Sequence, residues 1–395
     1  MAVIDRKQFP FLELHYFDNA TFTLVPKIVN EEVKHVSETH SGSPRQATHR
    51  IGLRGIEKLN QVRRSYAKFF QVKSSQVIFM PDTSDAFYSI AFGLKSESNK
   101  ILVSEMLDHT ALLPWYQAKQ INNLEFSLLV HDEFGFVNLD DFRELLSQSY
   151  STVVIPYVVP GLGTRNPIRE IIDIAHSYGV QVVLDGRLIS GHQKIDLSFL
   201  DCDAYICDSN IGLMGPPGFS VLIGKEEYLS KLHPFRVGAG SIKSVNRENF
   251  NPLPPPEGFE PGVGNISALA GGMKALEFLS TIGLERIQNH ENQLLFHLQK
   301  ELETLEKVTV YGPAKSKERG PILSFNIEGM NPHDVAVILD ESGKFILRSG
   351  TMCSHLLFQK LQMQGVVQLS THGYNTKDEV NNLITAIQKI AHDLA

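Results

Sequence analysis

The sequence predicts an α/β protein with a large unit on a mostly parallel sheet and a smaller α/β unit at the C-terminus. Three observations predict it. Short apolar runs alternate with helix-patterned segments through the middle of the chain, a proline-rich stretch (Asn251–Gly258) interrupts them, and a second, shorter set of strands follows two long helical patterns. Such alternation marks βαβ units, because parallel strands need crossover helices that also cover the faces of the sheet.

In order along the chain, the candidate strands of the large unit are Gln76–Met80, Lys100–Ser104, Thr152–Tyr157, Val180–Leu184, Ala204–Cys207 and Ser220–Ile223. Between them, Ser84–Leu94, Leu112–Gln120, Leu139–Ser147 and Ile168–His176 carry helical patterns, and Gly179 suits the positive-φ position that closes the last of these. The connector Asn251–Gly258 holds four prolines and too few backbone donors for a regular element. Beyond it, Ile266–Ile282 and Glu285–Leu305 read as long helices, Val308–Tyr311, Ile322–Ile327 and Phe345–Arg348 as strands, and Thr376–Leu394 as a closing amphipathic helix. The expected division is a large unit over 16–255 and a small unit over 256–395 joined by residues 1–15.

Composition narrows the function classes. With 42% apolar and 21% charged residues, the 395-residue chain has the make-up of a globular protein with a sizeable core. A net charge of −7 offers no attraction to nucleic acid or an anionic membrane, and neither is expected as a partner. Cys202, Cys207 and Cys353 lack disulfide-framework or zinc-pair spacing, no stretch has the length of a membrane span, and Met1–Lys7 carries no export pattern. A soluble, cytoplasmic protein is expected.

Several segments carry a resemblance. Tyr16-Phe17-Asp18-Asn19-Ala20, the run from Ser104 to Trp115, Leu162-Gly163-Thr164-Arg165-Asn166-Pro167, Val183-Leu184-Asp185-Gly186, Tyr311-Gly312-Pro313, Arg348–Cys353 and Tyr374-Asn375-Thr376 follow one another in a set order. In number and order they resemble the cysteine desulfurase branch of the class V aminotransferases. The resemblance implies pyridoxal phosphate (PLP) fold type I, with a seven-stranded large domain, a small C-terminal domain and a homodimer.

Residue by residue, the resemblance implies a divided site. Kept are Asp185, which pairs the pyridine nitrogen in the family, His49 on the substrate side, Arg348, and Cys353, whose counterpart carries sulfur as a persulfide, while Asp185, Ser84 and Arg348 mark the vestigial cofactor pocket. Lost is the Schiff-base lysine. Its place falls on Gly212, or on Ile211 in the other register, and no lysine lies between Lys194 and Lys225. The ring-stacking histidine becomes Asp108, although His109 follows it, and the phosphate turn becomes Asp82-Thr83-Ser84. The ring-bonding glutamine becomes Leu188, a neighbouring asparagine Pro160, a cross-subunit threonine Val263, and the carboxylate-gripping arginine Gln368.

These changes act together. A carboxylate at Asp82 faces a dianionic phosphate with a repulsion of roughly 1–4 kcal/mol, and glutamine cannot replace a bidentate guanidinium. Asp82 also reads as a helix N-cap with Asp85 three residues on. Asp185 needs a new partner, and Arg187 is the nearest cation in sequence. Asp108, His109, His49, Asp185 and Asp208 converge on the carboxyl ends of strands, where ligands bind in such sheets, but no metal-ligand spacing supports a metal. Cys202 and Cys207 read as core residues and Trp115 as packing. His176, His192, His290, His333 and His392 lie in loop or helix-surface contexts without a partner pattern.

The leading expectation is a desulfurase-like protein without PLP-dependent catalysis and without a covalent cofactor, acting as a non-catalytic homologue or in PLP-independent chemistry. Three alternatives stand beside it. The pocket holds PLP or pyridoxamine phosphate (PMP) non-covalently, Cys353 handles sulfur delivered by another protein, or the chain partners an active desulfurase or a sulfur carrier. The substrate is not encoded, because the residues that select it are among those replaced.

Overall fold

A computed structural model describes residues 2–10, 13–40, 45, 48–94, 100–262 and 264–393. Its centre is a seven-stranded sheet in the order Val77–Met80, Ser220–Gly224, Ala204–Asp208, Gln181–Asp185, Tyr150–Pro156, Lys100–Ser104, Phe126–Leu129. Six strands run one way, and Ser220–Gly224 runs antiparallel to both neighbours. The central strands are apolar along their whole length because helices cover both faces. Val182, Leu184, Tyr205 and Cys207 point into one helical layer, while Val183, Ala204 and Ile206 point into the other. Cys202 and Cys207 are buried, and Trp115 is fully buried with its indole N–H on the Ala111 carbonyl, as packing residues should be.

Every large-unit strand read from sequence forms, within two residues at each end. The edge strand Phe126–Leu129 was not legible, because it is only partly buried and alternates instead of forming an apolar run. Two helices near the N-terminus, Lys27–Thr39 and Arg50–Phe70, also went unread. They pack against Ile266–Ile282, so that helix sits with the large unit although it follows residue 255.

The small unit is a four-stranded antiparallel sheet, ordered Val308–Tyr311, Ile322–Ile327, Val366–Ser370, Arg348–Gly350. Leu298, Phe325, Leu339 and Ile387 join it to the helices Leu284–Leu302, Pro332–Gly343 and Lys377–Asp393. The expected strand Phe345–Arg348 is divided. Phe345–Ile346 pairs in parallel with His15–Tyr16, and Arg348–Gly350 pairs with Val366–Ser370. The N-terminal segment is therefore stitched to the small unit.

The proline-rich connector is more ordered than its composition implies. Phe250–Pro252 pairs with Ile242–Val245 in a hairpin, with a register shift where proline removes a donor. The chain after the hairpin is anchored by Glu260, whose carboxylate accepts from Arg63 Nη1 and Nη2 at 2.8 and 2.9 Å, Arg45 Nη2 at 2.6 Å and the Phe79 amide at 2.7 Å. Phe79 lies on an edge strand, so this side chain completes the open side of the sheet. Glu260→Ala would leave Arg63 buried without its counter-charge. Thermal denaturation should show a loss of about 3–5 kcal/mol; a loss below about 1 kcal/mol would show that the anchor carries little.

Candidate functional site

Loops at the carboxyl ends of the parallel strands bring together Asp108, Asp185, Asp208 and Arg187, four of the residues singled out from sequence. Asp185 ends strand Gln181–Asp185, Asp208 ends Ala204–Asp208, and Asp108 caps helix His109–Asn122 by accepting from the Ala111 amide at 3.3 Å. Arg187 lies at the centre. Its Nε and Nη2 donate to the two oxygens of Asp185 at 2.9 and 2.6 Å, and Nη2 also donates to Asp108 Oδ1 at 2.7 Å. The side chains of Arg187 and Asp185 are only 7% and 4% exposed. Burial disfavours the charge on Arg187, but Asp108 and Asp185 outweigh it and hold the pKa well above its ordinary value. Asp208, behind this bridge, has its pKa raised by burial, opposed by a hydrogen bond from Thr83 Oγ1 at 2.6 Å and by the Arg187 charge.

The lysine-position loop is closed. Gly212 has φ +70°, and a Cβ there would meet the Ser190 carbonyl oxygen at 2.0 Å and the His192 ring at 3.0 Å. Its amide donates to Thr23 Oγ1 at 2.8 Å and its carbonyl accepts from His372 Nε2 at 2.9 Å. Gln368, in the arginine position, donates through Nε2 to the Pro160 carbonyl at 2.7 Å and to Ser324 Oγ at 3.3 Å. The Gln368 amide and the Pro160 carbonyl thus satisfy each other. Leu188 packs half-buried on the core.

Other expected residues lie apart from this cluster. Asp82 is exposed and caps its helix by accepting from the Asp85 amide at 3.0 Å, whereas the Asp85 carboxylate pairs with Arg236 instead of returning the bond. Ser84 is half-buried on the same first turn. His49 is exposed, and its Nδ1 accepts from the Gly52 amide at 3.2 Å as a helix N-cap, so it is not brought to Asp185. His109 turns from the aspartates toward His355, with Nε2 and Nδ1 2.8 Å apart and the rings stacked at 4.6 Å. The convergence of Asp108, Asp185 and Asp208 is therefore met by a guanidinium and not by an imidazole. Val263 lies outside the described residues.

Cys353 is exposed in a loop where both it and Met352 adopt positive φ (56° and 50°). Arg348 Nη2 lies 3.5 Å from its sulfur, and its carbonyl accepts from the His109 amide at 2.9 Å. Arg348 also faces Asp18, whose pKa is raised by burial and opposed by a Thr21 hydrogen bond and the Arg348 charge.

The histidines are not partnerless. His176 bonds Asp203, His290 the Asn375 carbonyl, His333 the Ser349 hydroxyl and His392 Asp393. Sequence reasoning placed His192 among loop histidines and did not single out Glu291 or His372. All three are buried together, with His192 Nδ1 3.0 Å from Glu291 Oε2. Their candidate ligand atoms lie within 4.8 Å of one another. His372, however, accepts from the Gly373 amide at Nδ1 (2.8 Å) and gives its Nε2 proton to Gly212, so neither nitrogen is open to a metal. The helical spacing of Glu291 within Leu284–Leu302 was the only local sign that it faces inward.

Comparison with known proteins supports the family and the fold. The model of the family described as "Aminotransferase class-V" matches residues 15–383. The chain is similar to a cysteine desulfurase of Synechococcus elongatus, 31% identical over 98% of this chain and 63% of that longer protein. It is also similar to a probable cysteine desulfurase of Halalkalibacterium halodurans, at 30% identity over 97% of this chain and 96% of the other. Among solved structures, an apo cysteine desulfurase from Thermococcus onnurineus superposes with a TM-score of 0.94, 30% identity and 98% coverage of both chains. No helix among the described residues is long and apolar enough to cross a membrane.

The buried His192–Glu291–His372 group gives a pH signature. Burial, opposed by His372, raises Glu291 from 4.5 to about 8, so its contribution is fully present below 4.5 and is lost as pH rises toward 8. Burial lowers His192 to about 3 and His372, with His192 adding to the effect, to about 4. Their contribution is present above 6.5 and is lost as pH falls toward those values. Glu291→Gln keeps the shape without the titration. From pH 5 to 8 its melting temperature should gain on wild type by a few degrees; parallel pH profiles would refute the assignment.

Proposed function

The chain belongs to the class V aminotransferase family, and from that membership we propose that it keeps the desulfurase-type fold while working without PLP-dependent catalysis. The observation that carries this is Gly212. Where the resemblance places the Schiff-base lysine, there is no amine, no lysine between Lys194 and Lys225, and no space for a Cβ. The other residues fit the cofactor no better. The Asp185 carboxylate expected to pair a pyridinium is taken on both oxygens by Arg187, and Gln368 is taken by Pro160. Leu188 offers no hydrogen bond, and Asp82 sets a carboxylate on the helix turn where an anion would bind. The protein then acts through its surfaces and its loops, as a non-catalytic relative of the desulfurases.

One observation favours a second role. Cys353 keeps an exposed thiol beside the Arg348 guanidinium, on the loop that carries sulfur in the resemblance. In that role the Cys353 thiolate attacks the outer sulfur of a donor protein's persulfide. Cys353 then carries the persulfide, the donor leaves as its thiolate, and no net oxidation occurs. Persulfide labelling should tag wild type incubated with such a donor and spare Cys353→Ala; equal labelling of both excludes the role.

Purified protein titrated with PLP should show no internal-aldimine absorbance and release no sulfide from cysteine. Either signal would overturn the proposal. Gly212→Lys should not restore them, because its Cβ meets backbone and not a movable side chain. The variant should melt well below wild type, by roughly 2 kcal/mol or more for a bulky residue forced into a packed, positive-φ site.

A further inference from the structure

We infer that Arg187 is a resident ligand, an internal planar cation held in a guanidinium-specific site that the pocket has built from the ring-nitrogen aspartate. The inference rests on the proposal that the pocket works without PLP, and it deepens that proposal by naming what fills the slot and which chemistry the slot selects.

The slot is defined by two carboxylates at fixed angles. Asp185, at the end of a buried strand, presents both oxygens, and Asp108 presents one from the start of the neighbouring helix. A guanidinium offers donors in one plane that can meet a carboxylate side-on and still reach a second one. Arg187 does this with Nε and Nη2 on Asp185 and Nη2 shared with Asp108. An ammonium is a point charge without that planar fork. The guanidinium carbon also lies 6.0 Å from the centroid of the buried Phe87 ring, which adds a cation–π contact.

Local backbone aims the side chain back at its own strand. The Arg187 amide donates to Asp185 Oδ1 at 3.1 Å, closing an Asx-type turn through Gly186. A Cβ on Gly186 would meet the Tyr205 ring at 1.9 Å, so the turn sits tight on that ring and only glycine fits. The short Asp-Gly-Arg segment is thus folded so that residue 187 returns over residue 185.

Burial makes the occupant necessary. Asp185 is 4% exposed, and Asp208 lies near enough to feel the Arg187 charge, so an empty slot would leave a buried carboxylate without its counter-charge. In this chain the cation is covalently supplied and always present, so the strand end and the helix start are joined without any external group.

Chemical rescue tests this. In Arg187→Ala, differential scanning fluorimetry should show a clear drop in melting temperature relative to wild type. Methylguanidinium chloride at about 10 mM should recover at least half of that drop in the variant. The same salt should give wild type no increase, and neither sodium chloride nor methylammonium chloride should help the variant. Arg187→Ala/Asp185→Asn, which lacks the carboxylate charge, should fold and show no methylguanidinium response. If Arg187→Ala does not fold alone, it should refold with methylguanidinium and not with sodium chloride. A variant as stable as wild type overturns the inference, as does a drop that methylguanidinium relieves no better than sodium chloride. Neither result bears on aldimine absorbance or sulfide release, so the resident-ligand inference and the loss of PLP catalysis can fail separately.

Discussion

A carboxylate at the end of a central strand, under helices on both faces, has to be paired, and in this chain Asp185 is paired from two residues away. The Arg187 bridge to Asp185 and Asp108 joins the middle of the sheet to the first turn of a flanking helix. Much around it follows from that pairing. Asp108 serves as both helix cap and counter-charge, Asp208 gives its accepting oxygen to Thr83, and His109, unneeded at the centre, stacks with His355 beside the cysteine loop. Buried charge in a protein persists when it is hydrogen-bonded on several sides, and each member of this group is.

The same economy recurs at other buried polar groups. Gln368 and the Pro160 carbonyl satisfy each other across the junction of the two units. The Gly212 amide and carbonyl are engaged by Thr23 and His372, and His372 in turn meets the buried Glu291 and His192. These polar groups point at one another, so each is satisfied within the protein.

The frame that holds the site does not depend on these contacts. The two-faced sheet buries apolar strands regardless of what sits at their ends, and Glu260 ties the hairpin segment to the edge strand well away from Arg187. The Cys353 loop presents an exposed thiol, an adjacent guanidinium and a backbone bond to helix His109–Asn122. Fold and site can therefore be considered separately, since function resides in side chains displayed on a scaffold.

Read alone, the sequence was enough for the α/β class, the strands of the central sheet, the absence of lysine between Lys194 and Lys225 and the need of Asp185 for a nearby cation. Those features are local: apolar runs, a stretch without lysine, two residues in one turn. The edge strand Phe126–Leu129 and the helices Lys27–Thr39 and Arg50–Phe70 escaped because their burial depends on which neighbours arrive. Only the tertiary structure decided that Asp108 completes the Arg187 bridge, 79 residues away in sequence, and that Gln368 reaches Pro160 across 208 residues. It also decided that His192, Glu291 and His372 share one dry cluster. Hydrogen-bond partners separated so far leave no periodicity in the chain; they are fixed by packing, which sets the angles at which buried polar groups must find each other.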